Sequence, residues 1–533
     1  YDLERFRLGD DPIMYPNINW YKELTNKVAV QTQHNLNISG GTKDIRYFIS
    51  LGFLYQNGLF KQLKGLDYNN NYNYSRYNYR ANLDVNLTPT TTLKFNMGGI
   101  LGNRRQPVAD IWQNFASTWP FSSPGLVDGK KVVHQDTRYP NLAMSNQVFD
   151  KYYGSGYQRR LSNNMTFDLN LVQKLDFITK GLSVDIKGSY NTDYSYIRQV
   201  NGHVETYTPF YKSEIDGSGL SKDDPAFDKT VVYRVSGQNS MKTYGDGSRS
   251  RGRDWYLEGS IRYNRKFGNH SIGALFLYNQ SKKYYPKNYS DVPTAYVGFV
   301  GRLTYDYKSK YMAEFNIGHN GSENFAKGHR WGFFPSIAVG YNISEEAFFE
   351  PLKNVFSNMK IRASWGLVGN DNIGGARFVY MPTINLTGTG YTTGLDGDIT
   401  YKGPVYSRYG NPEVTWEVGK KVNVGLDLQL FNSLNLTMDY FHETRTDIFQ
   451  ERGTIPQYLG TAGTKVFGNL AAMKNQGFDF AADFNKKIGK DWFISFKGTF
   501  TYAHNEITKY DESPKYAFQS KVGQSANIPS IMI

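Results

Sequence analysis

Cysteine and long apolar stretches are both missing from this chain of 533 residues. Without cysteine, the chain has neither a disulfide framework nor a thiolate metal site. No stretch approaches the roughly 18 uninterrupted apolar residues that a membrane-spanning helix needs, so a helical membrane protein is excluded. A membrane β-barrel is not excluded, because its strands carry apolar residues only at alternate positions. Hydropathy averages, such as the mean hydropathy of −0.56 for this chain, do not reveal such strands.

The amino terminus lacks a basic region followed by an apolar region, so any export signal is expected upstream of Tyr1. A clustered basic stripe is also missing. The net charge is +13, but the Lys and Arg residues are dispersed among carboxylates and tyrosines, whereas nucleic-acid-binding proteins concentrate them on one helix or face. Nucleic acid is therefore not an expected partner.

Aromatic residues and turn-forming residues are abundant. The chain has 42 Tyr and 34 Phe, with Trp bringing the aromatic content to 16%, and Asn, Gly and Ser lie between them, a composition that favours strands and turns over helices. The clearest alternation of apolar and polar residues runs through 422–440, on both sides of a turn at 431–433. This pattern predicts a β-hairpin with one apolar and one polar face.

About sixteen segments of about ten residues each carry this alternation, the length that a tilted membrane strand requires. Tight and long connections alternate between them. Because alternate connections of an up-and-down barrel lie at the same rim, we expect all tight turns at one rim and all long loops at the other. The tight connections are 39–43, 88–92, 173–181, 267–270, 308–310, 431–433 and 486–491, with a longer one at 344–358. The long connections are 103–162, 191–254, 369–419 and 445–474, with shorter ones at 57–76, 282–294 and 319–334.

Two classes of β-protein fit the alternation. A soluble extracellular glycan-binding β-protein fits it equally well if its polar face is turned to solvent. Strands of about ten residues, aromatic residues near strand ends and alternating loop lengths instead favour an all-β, large antiparallel transmembrane β-barrel. The soluble glycan-binding protein is the alternative interpretation, and a requirement for detergent during folding would distinguish the two.

Several segments resemble the SusC-like (SusC/RagA) family of TonB-dependent outer-membrane transporters, from about Trp20 to the end of the chain. The most specific series is GRLTYDY at 301–307, KYMAEFN at 310–316, NGS at 320–322, HRWGFFPS at 329–336, VGY at 339–341, SEEAF at 344–348, KIRASWG at 360–366 and GN at 369–370. Flanking segments keep the family's order: SGGT at 39–42, YFISLG at 47–52, RYNYR at 76–80, NPEVTWE at 411–417, DYF at 439–441 and NQGF at 475–478. The departures are small, since Asn320 stands where the family commonly has Asp and Trp365 where it has an aromatic residue of either kind.

The resemblance implies a multi-pass barrel of the cell outer membrane that imports a nutrient and is not an enzyme. With about 22 strands expected for the family, residues 1–533 are expected to form one incomplete barrel domain, with the N-terminal plug before it and the closing strands after it. The implied partners are a SusD-like surface lipoprotein, the TonB complex acting through the absent N-terminal region, outer-membrane lipid, and a glycan (oligosaccharide) or peptide ligand.

Metal and catalytic motifs are not found in the sequence. The eight His residues are scattered without a recurring ligand spacing, so we expect neither a catalytic site nor a resident cofactor. Calcium could bind through oxygen ligands at the acidic segments 216–218, 223–224 and 396–398 in the long loops. Asp-Gly, however, is a turn signal before it is a metal signal, and solvated turns are the favoured interpretation.

Aromatic residues are concentrated in the long loop 103–160. Flat apolar faces with polar rims suit sugar rings or peptide side chains. The predicted ligand-binding residues are Trp112, Phe115, Trp119, Tyr139, Tyr152 and Tyr153. The alternative is that these residues pack the loop onto itself or onto a partner lid.

Overall fold

The computed structural model describes residues 2–134, 147–244, 249–285, 291–456, 458 and 464–526, which are built mainly from long strands. In chain order the strands are β1 (Gln31–Gly41), β2 (Ile45–Asn57), β3 (Asn73–Asn86), β4 (Thr91–Pro107), β5 (Gly125–Val127), β6 (Lys130–Val132), β7 (Gly156–Lys174), β8 (Leu182–His203), β9 (Thr206–Tyr211), β10 (Val231–Ser236), β11 (Ser240–Tyr244), β12 (Arg249–Phe267), β13 (His270–Tyr284), β14 (Thr294–Tyr307), β15 (Tyr311–Ser322), β16 (Trp331–Asn342), β17 (Phe356–Asn370), β18 (Thr383–Thr393), β19 (Ile399–Arg408), β20 (Glu417–Leu430), β21 (Leu434–Glu451), β22 (Phe467–Ile488) and β23 (Trp492–Lys509).

The helices are short. They are α1 (Asp2–Leu8), α2 (Trp20–Leu24), α3 (Ile111–Ala116), α4 (Val148–Tyr152) and α5 (Lys212–Ile215), with 3₁₀ turns at Ile343–Glu345, Ala347–Leu352 and Ala517–Gln519. Across the described ranges, no helix has both the length and the apolar composition needed to cross a membrane.

Seventeen strands form one large sheet. Strands that follow one another pair antiparallel from β1 to β3, from β13 to β17 and from β20 to β23. β17 pairs directly with β20, while β18 and β19 form a two-stranded sheet of their own. The prediction of a large antiparallel all-β fold with about sixteen strands is confirmed.

The predicted hairpin at 422–440 is present with the predicted faces. Leu430 pairs with Leu434 across the turn, and Val424 pairs with Tyr440 further along the same two strands. Phe431 and Asn432 have φ values of 52° and 53°. Left-handed residues at both positions match the right-handed twist of the flanking strands, and the Ser433 backbone N–H closes the turn by donating to the Leu430 carbonyl oxygen at 3.0 Å.

The strands are longer than predicted. β8 and β22 have 22 residues each, and β7 and β12 have 19. The sequence placed 191–203 in a loop, whereas these residues continue β8. A strand needs only about 9–11 residues to cross the hydrocarbon layer. Beyond that layer both faces of a strand meet polar surroundings, so the alternation that reveals a strand in the sequence fades.

Small elements within the long connections were not predicted. β5, β6, β9 and β10 form a four-stranded sheet, in which β6 and β9 run parallel. The helix α3 begins at Ile111 because the side chain of Asp110 accepts a hydrogen bond from the backbone N–H of Gln113 at 3.3 Å. These elements are too short to show a period of their own in the sequence.

The chain divides into two compact units. The first comprises Tyr1–Val85, Lys94–Asp168 and Tyr190–Arg253, and the second comprises Asn86–Leu93, Leu169–Ser189 and Asp254–Ile533. The first unit holds two buried clusters, one around Phe60 and Tyr152 and one around Tyr15 and Tyr211. The second unit holds a buried cluster around Phe325 and Trp416.

Candidate ligand-binding site

The apolar face of the second unit's strands is the exposed face. Leu303, Phe315 and Ile337 are paired side by side across β14, β15 and β16, and their exposed fractions are 56%, 41% and 47%. A row of large apolar side chains on the accessible surface is rare in soluble monomers and marks contact with an apolar partner or lipid. The alternating pattern therefore places its apolar residues outward.

The opposite, polar face of the second unit carries charges that are paired. The Arg302 guanidinium lies 2.6 Å from the Glu314 carboxylate. The Arg362 guanidinium contacts Asp439 at 2.7 Å and Asp427 at 3.1 Å. These ion pairs join different strands, so the charges of Arg302 and Arg362 are matched within the protein.

The polar face of the first unit differs in its charges. A Cβ atom built on Gly102 would lie 2.5 Å from the Ser162 hydroxyl and 3.4 Å from the Tyr74 hydroxyl, which shows that Tyr74, Gly102 and Ser162 share one face of β3, β4 and β7. Alternation along each strand puts four arginines on that face. They are Arg76, Arg80, Arg104 and Arg160.

These four arginines make no hydrogen bond or ion pair with any residue that the structure describes. Arg76 and Arg80 line a cavity of about 790 Å³ together with Asn78, Asn164 and Asp168. Asp168 is the single carboxylate among its lining residues. The polar face of the first unit therefore carries positive charge that its own carboxylates do not neutralise.

Three of the predicted ligand-binding residues lie in a buried core. Phe115, Tyr152 and Tyr153 are 8%, 1% and 2% exposed. The Tyr152 hydroxyl donates a hydrogen bond to the Lys61 carbonyl oxygen at 2.8 Å, and burial raises the pKa of this hydroxyl. The three rings pack the connection 108–155 against the connection 58–72, which is the alternative role that the sequence left open for them.

Two predicted residues lie at the surface. Trp112 is 45% exposed and Trp119 is 42% exposed. The Trp112 ring rests against Phe60, with ring centroids 5.1 Å apart, and Trp119 stacks on Phe121 at 5.9 Å. The sixth predicted residue, Tyr139, lies outside the described residues. Trp112 and Trp119 are therefore the predicted aromatic residues whose rings offer a free surface.

Trp112 lines a cavity of about 780 Å³ in the first unit. The cavity lies where β2 ends, β3 begins and β4 ends, beside the first turn of α3. Its other polar side chains are those of two arginines, two tyrosines and three amides, namely Arg104, Arg105, Tyr72, Tyr74, Gln56, Asn57 and Asn73. Cavities of this size with a few convergent polar groups are typical ligand sites.

Positive charge dominates this cavity. No Asp or Glu is among its lining residues. Arg105 lies over the Tyr157 ring, 5.2 Å from its centroid, and this cation–π contact holds the guanidinium in place. Burial and the charge of Asp110 raise the pKa of the Tyr72 hydroxyl, while Arg104 opposes that rise. Tyr72 is therefore a neutral hydrogen-bonding group at physiological pH.

Sequence reasoning missed the polar half of this site. Arg104, Arg105, Tyr72 and Tyr74 were not among the predicted residues, because pairs of basic or aromatic residues at strand ends are common in this chain. The segment Asn103-Arg104-Arg105-Gln106 was the available signal. It is a doubled arginine that is not followed closely by a carboxylate.

The acidic segment at 216–218 forms a turn. The Asp216 carboxylate accepts a hydrogen bond from the backbone N–H of Ser218 at 2.9 Å, and hydrogen bonds from Ser218 hold the pKa of Asp216 below its usual range. Among the described residues there is no group of three or more His, Asp or Glu side chains that could hold a metal ion. Calcium binding in the long loops stays a prediction.

Residues 19–529 match the family described as TonB dependent receptor-like, beta-barrel. The chain is 27% identical to the TonB-dependent receptor SusC of Bacteroides thetaiotaomicron, over 94% of this chain and 49% of that protein. It is 24% identical to the TonB-dependent receptor P3 of Formosa agariphila, over 95% of this chain and 48% of that protein. The chain thus spans about half the length of the curated relatives it matches.

The fold has solved counterparts. The RagAB peptide importer in its closed-closed state superimposes with a TM-score of 0.68 at 19% identity, over 95% of this chain and 54% of that one. The RagAB peptide transporter superimposes with a TM-score of 0.66 at 19% identity, over 96% of this chain and 55% of that one. Together with the match over 19–529, the outward apolar rows fit a protein surrounded by lipid. The chain belongs to the family of TonB-dependent receptor-like β-barrels, which are receptors and transporters of the outer membrane rather than enzymes.

Proposed function

We propose that the full-length protein imports an oligosaccharide or a peptide across the outer membrane in a TonB-dependent manner, together with a SusD-like lipoprotein. The observation that carries this proposal is the arrangement of the two strand faces. Leu303, Phe315 and Ile337 form an exposed apolar row, while Arg302 and Glu314 pair on the opposite face of the same strands. An apolar exterior and a polar interior are what a membrane barrel with a hydrated lumen requires.

The backbone supports the same conclusion. Uninterrupted antiparallel ladders from β13 to β17 pair the backbone polar groups between strands. In a bilayer, unpaired backbone groups cost several kcal/mol each, so strands cross a membrane only in such continuous ladders. Their combination with an outward apolar row favours a transporter wall over the soluble glycan-binding protein, which would bury that row.

The long connections supply the ligand site in this proposal. The buried aromatic core around Tyr152 gives the connections a fixed shape, and the cavity beside Trp112 opens on that core. The remaining half of the full-length protein is proposed to contribute the plug and the segment that contacts TonB. The relation to SusC supports the lipoprotein partner, and the likeness to the RagAB importer is one of fold.

The test is a pull-down of the full-length protein from detergent-solubilised outer membranes, followed by mass spectrometry of the co-purifying proteins. We expect a surface lipoprotein at a stoichiometry close to one. Growth on a defined oligosaccharide or peptide should stop when either the transporter gene or the tonB gene is deleted. A protein that is folded and alone in the soluble fraction would refute the proposal.

A further inference from the structure

We propose that the ligand is an acidic oligosaccharide, bearing carboxylate or sulfate groups, and that Arg104 and Trp112 bind it at the cavity of the first unit. The inference rests on the proposed import function, because it names the class of ligand that this transporter would carry. Its basis is the juxtaposition of the Arg104 guanidinium group, an exposed indole face and amide side chains around one cavity.

The charge of the cavity selects an anion. Arg104 has no hydrogen-bonding or ion-pair partner among the described residues, and no carboxylate lines the cavity. A guanidinium presents planar, paired N–H donors that match the oxygens of carboxylate and sulfate groups. An anion at Arg104 would satisfy donors that the protein itself leaves free.

The aromatic and amide groups select a sugar. Trp112 is held from one side by Phe60 and Phe115, and its exposed part offers a flat surface against which a sugar ring can stack. Gln56, Asn57 and Asn73 line the same cavity. Each amide both donates and accepts hydrogen bonds, as vicinal hydroxyl groups require. An extended peptide would instead gain most from a free strand edge.

The polar face of the first unit continues the positive charge beyond the cavity. Arg104 shares its strand face with Arg76, Arg80 and Arg160, none of which has a partner among the residues that the structure describes. An amide ladder lies beside them, in which Gln106 donates to Gln158 at 3.1 Å and Gln158 donates to Gln199 at 3.3 Å. The positive charge of such a surface attracts a polyanion. The amide groups can exchange the hydrogen bonds that they make with one another for hydrogen bonds to the ligand.

The experiment measures binding to the full-length protein, purified in detergent with its co-purifying lipoprotein, by isothermal titration calorimetry. Four probes of similar length are used: tetragalacturonate for carboxylates, neocarratetraose disulfate for sulfates, maltotetraose as the neutral sugar and tetraglutamate as the acidic peptide. We expect at least one of the two acidic oligosaccharides to bind more tightly than both maltotetraose and tetraglutamate. Its affinity should fall as NaCl rises from 50 to 500 mM, because salt screens the contact.

Two variants and a matched control locate the site. Arg104→Gln should weaken binding of the acidic oligosaccharide about tenfold or more, which is the loss expected for one charge-assisted hydrogen-bonding group. Trp112→Ala should weaken binding of the same probe, and Trp112→Phe should restore part of the affinity. Arg159→Gln removes the same charge from the opposite strand face, where Arg159 donates to Asn103 at 2.9 Å, and should leave binding unchanged.

Several results would overturn the inference. These are tighter binding of maltotetraose or tetraglutamate, binding of none of the four probes, or an equal loss in Arg104→Gln and Arg159→Gln. Failure of the import function is detected separately, because a transporter of another ligand would still co-purify with its lipoprotein and remain TonB-dependent. Normal circular dichroism and normal lipoprotein recovery show that a variant is folded.

Discussion

The polar faces of the two units differ at several of their arginines. In the second unit Arg302 and Arg362 are each held by a carboxylate on a neighbouring strand. In the first unit Arg76 and Arg104 have no such partner among the described residues. Paired charges add to the stability of a sheet, whereas unpaired charges add little stability and keep their donors available. The second unit's polar face is therefore a structural wall, and the first unit's polar face is suited to binding.

The aromatic residues of the first unit show the same division of roles over a short distance. Tyr152 and Phe115 are buried and hold the connections together, while Trp112 rests on Phe60 and Phe115 with nearly half of its surface exposed. Residues of one chemical type in one loop thus serve stability or ligand contact according to which side of the core they occupy.

The largest effect is expected for Tyr152→Ala. Removing a fully buried ring leaves a cavity in the core of the first unit, which should lower the free energy of unfolding by about 4 kcal/mol. Urea titration of the full-length protein in detergent measures this change. Tyr152→Phe keeps the ring and loses the hydrogen bond to Lys61, so the free energy of unfolding should fall by only about 1 kcal/mol. Equal effects of the two substitutions would show that packing is not the role of this residue.

Arg377→Ala should have the next largest effect. The Arg377 side chain is 5% exposed and donates to the Glu323 carboxylate at 2.6 Å and to the Pro293 carbonyl oxygen at 2.9 Å. Its removal leaves Glu323 without this partner in a partly buried place, at a cost of about 3 kcal/mol. The same urea titration measures the loss. A Glu323→Gln background should reduce the loss, and an unreduced loss would contradict the ion-pair explanation.

A matched pair of substitutions compares the two polar faces directly. Arg362→Gln removes the guanidinium that joins Asp427 and Asp439, and should lower the free energy of unfolding by about 1 kcal/mol. Arg76→Gln removes a guanidinium whose Nε atom is buried without a partner, so a change within about 0.5 kcal/mol is expected. A larger loss for Arg76→Gln than for Arg362→Gln would reverse the distinction between the two faces.

The smallest effect is expected in the connection between β16 and β17. The Glu346 carboxylate accepts hydrogen bonds from the Tyr311 hydroxyl and from Lys310, and these contacts lower the pKa of Glu346. Because the folded pKa lies below the unfolded one, the contribution is present above the unfolded value of 4.5 and is lost as the pH falls through the folded pKa. The stability difference between Glu346→Gln and the parent protein should therefore shrink below about pH 4. A pH-independent difference would contradict this.

Several elements were predictable from the sequence for a simple reason. In β20 and β21 an apolar face and a polar face meet different surroundings along the whole strand, so alternation fixes both the strands and their register. The turn at Phe431–Asn432 was located by the break in that alternation, although it lacks the Asn-Gly pair common in such turns. The extension of β8 to His203 was missed because it has no such contrast between its faces.

The sequence by itself determined the fold class, the order of the strands and the family, because each depends on local alternation or on short ordered motifs. It also gave the aromatic residues from which the ligand site was predicted. Only the tertiary structure decided that Phe115, Tyr152 and Tyr153 are buried while Trp112 is exposed, and that Arg104 meets Trp112 at one cavity. Burial and charge pairing depend on residues that are distant in the chain, and no local pattern records them.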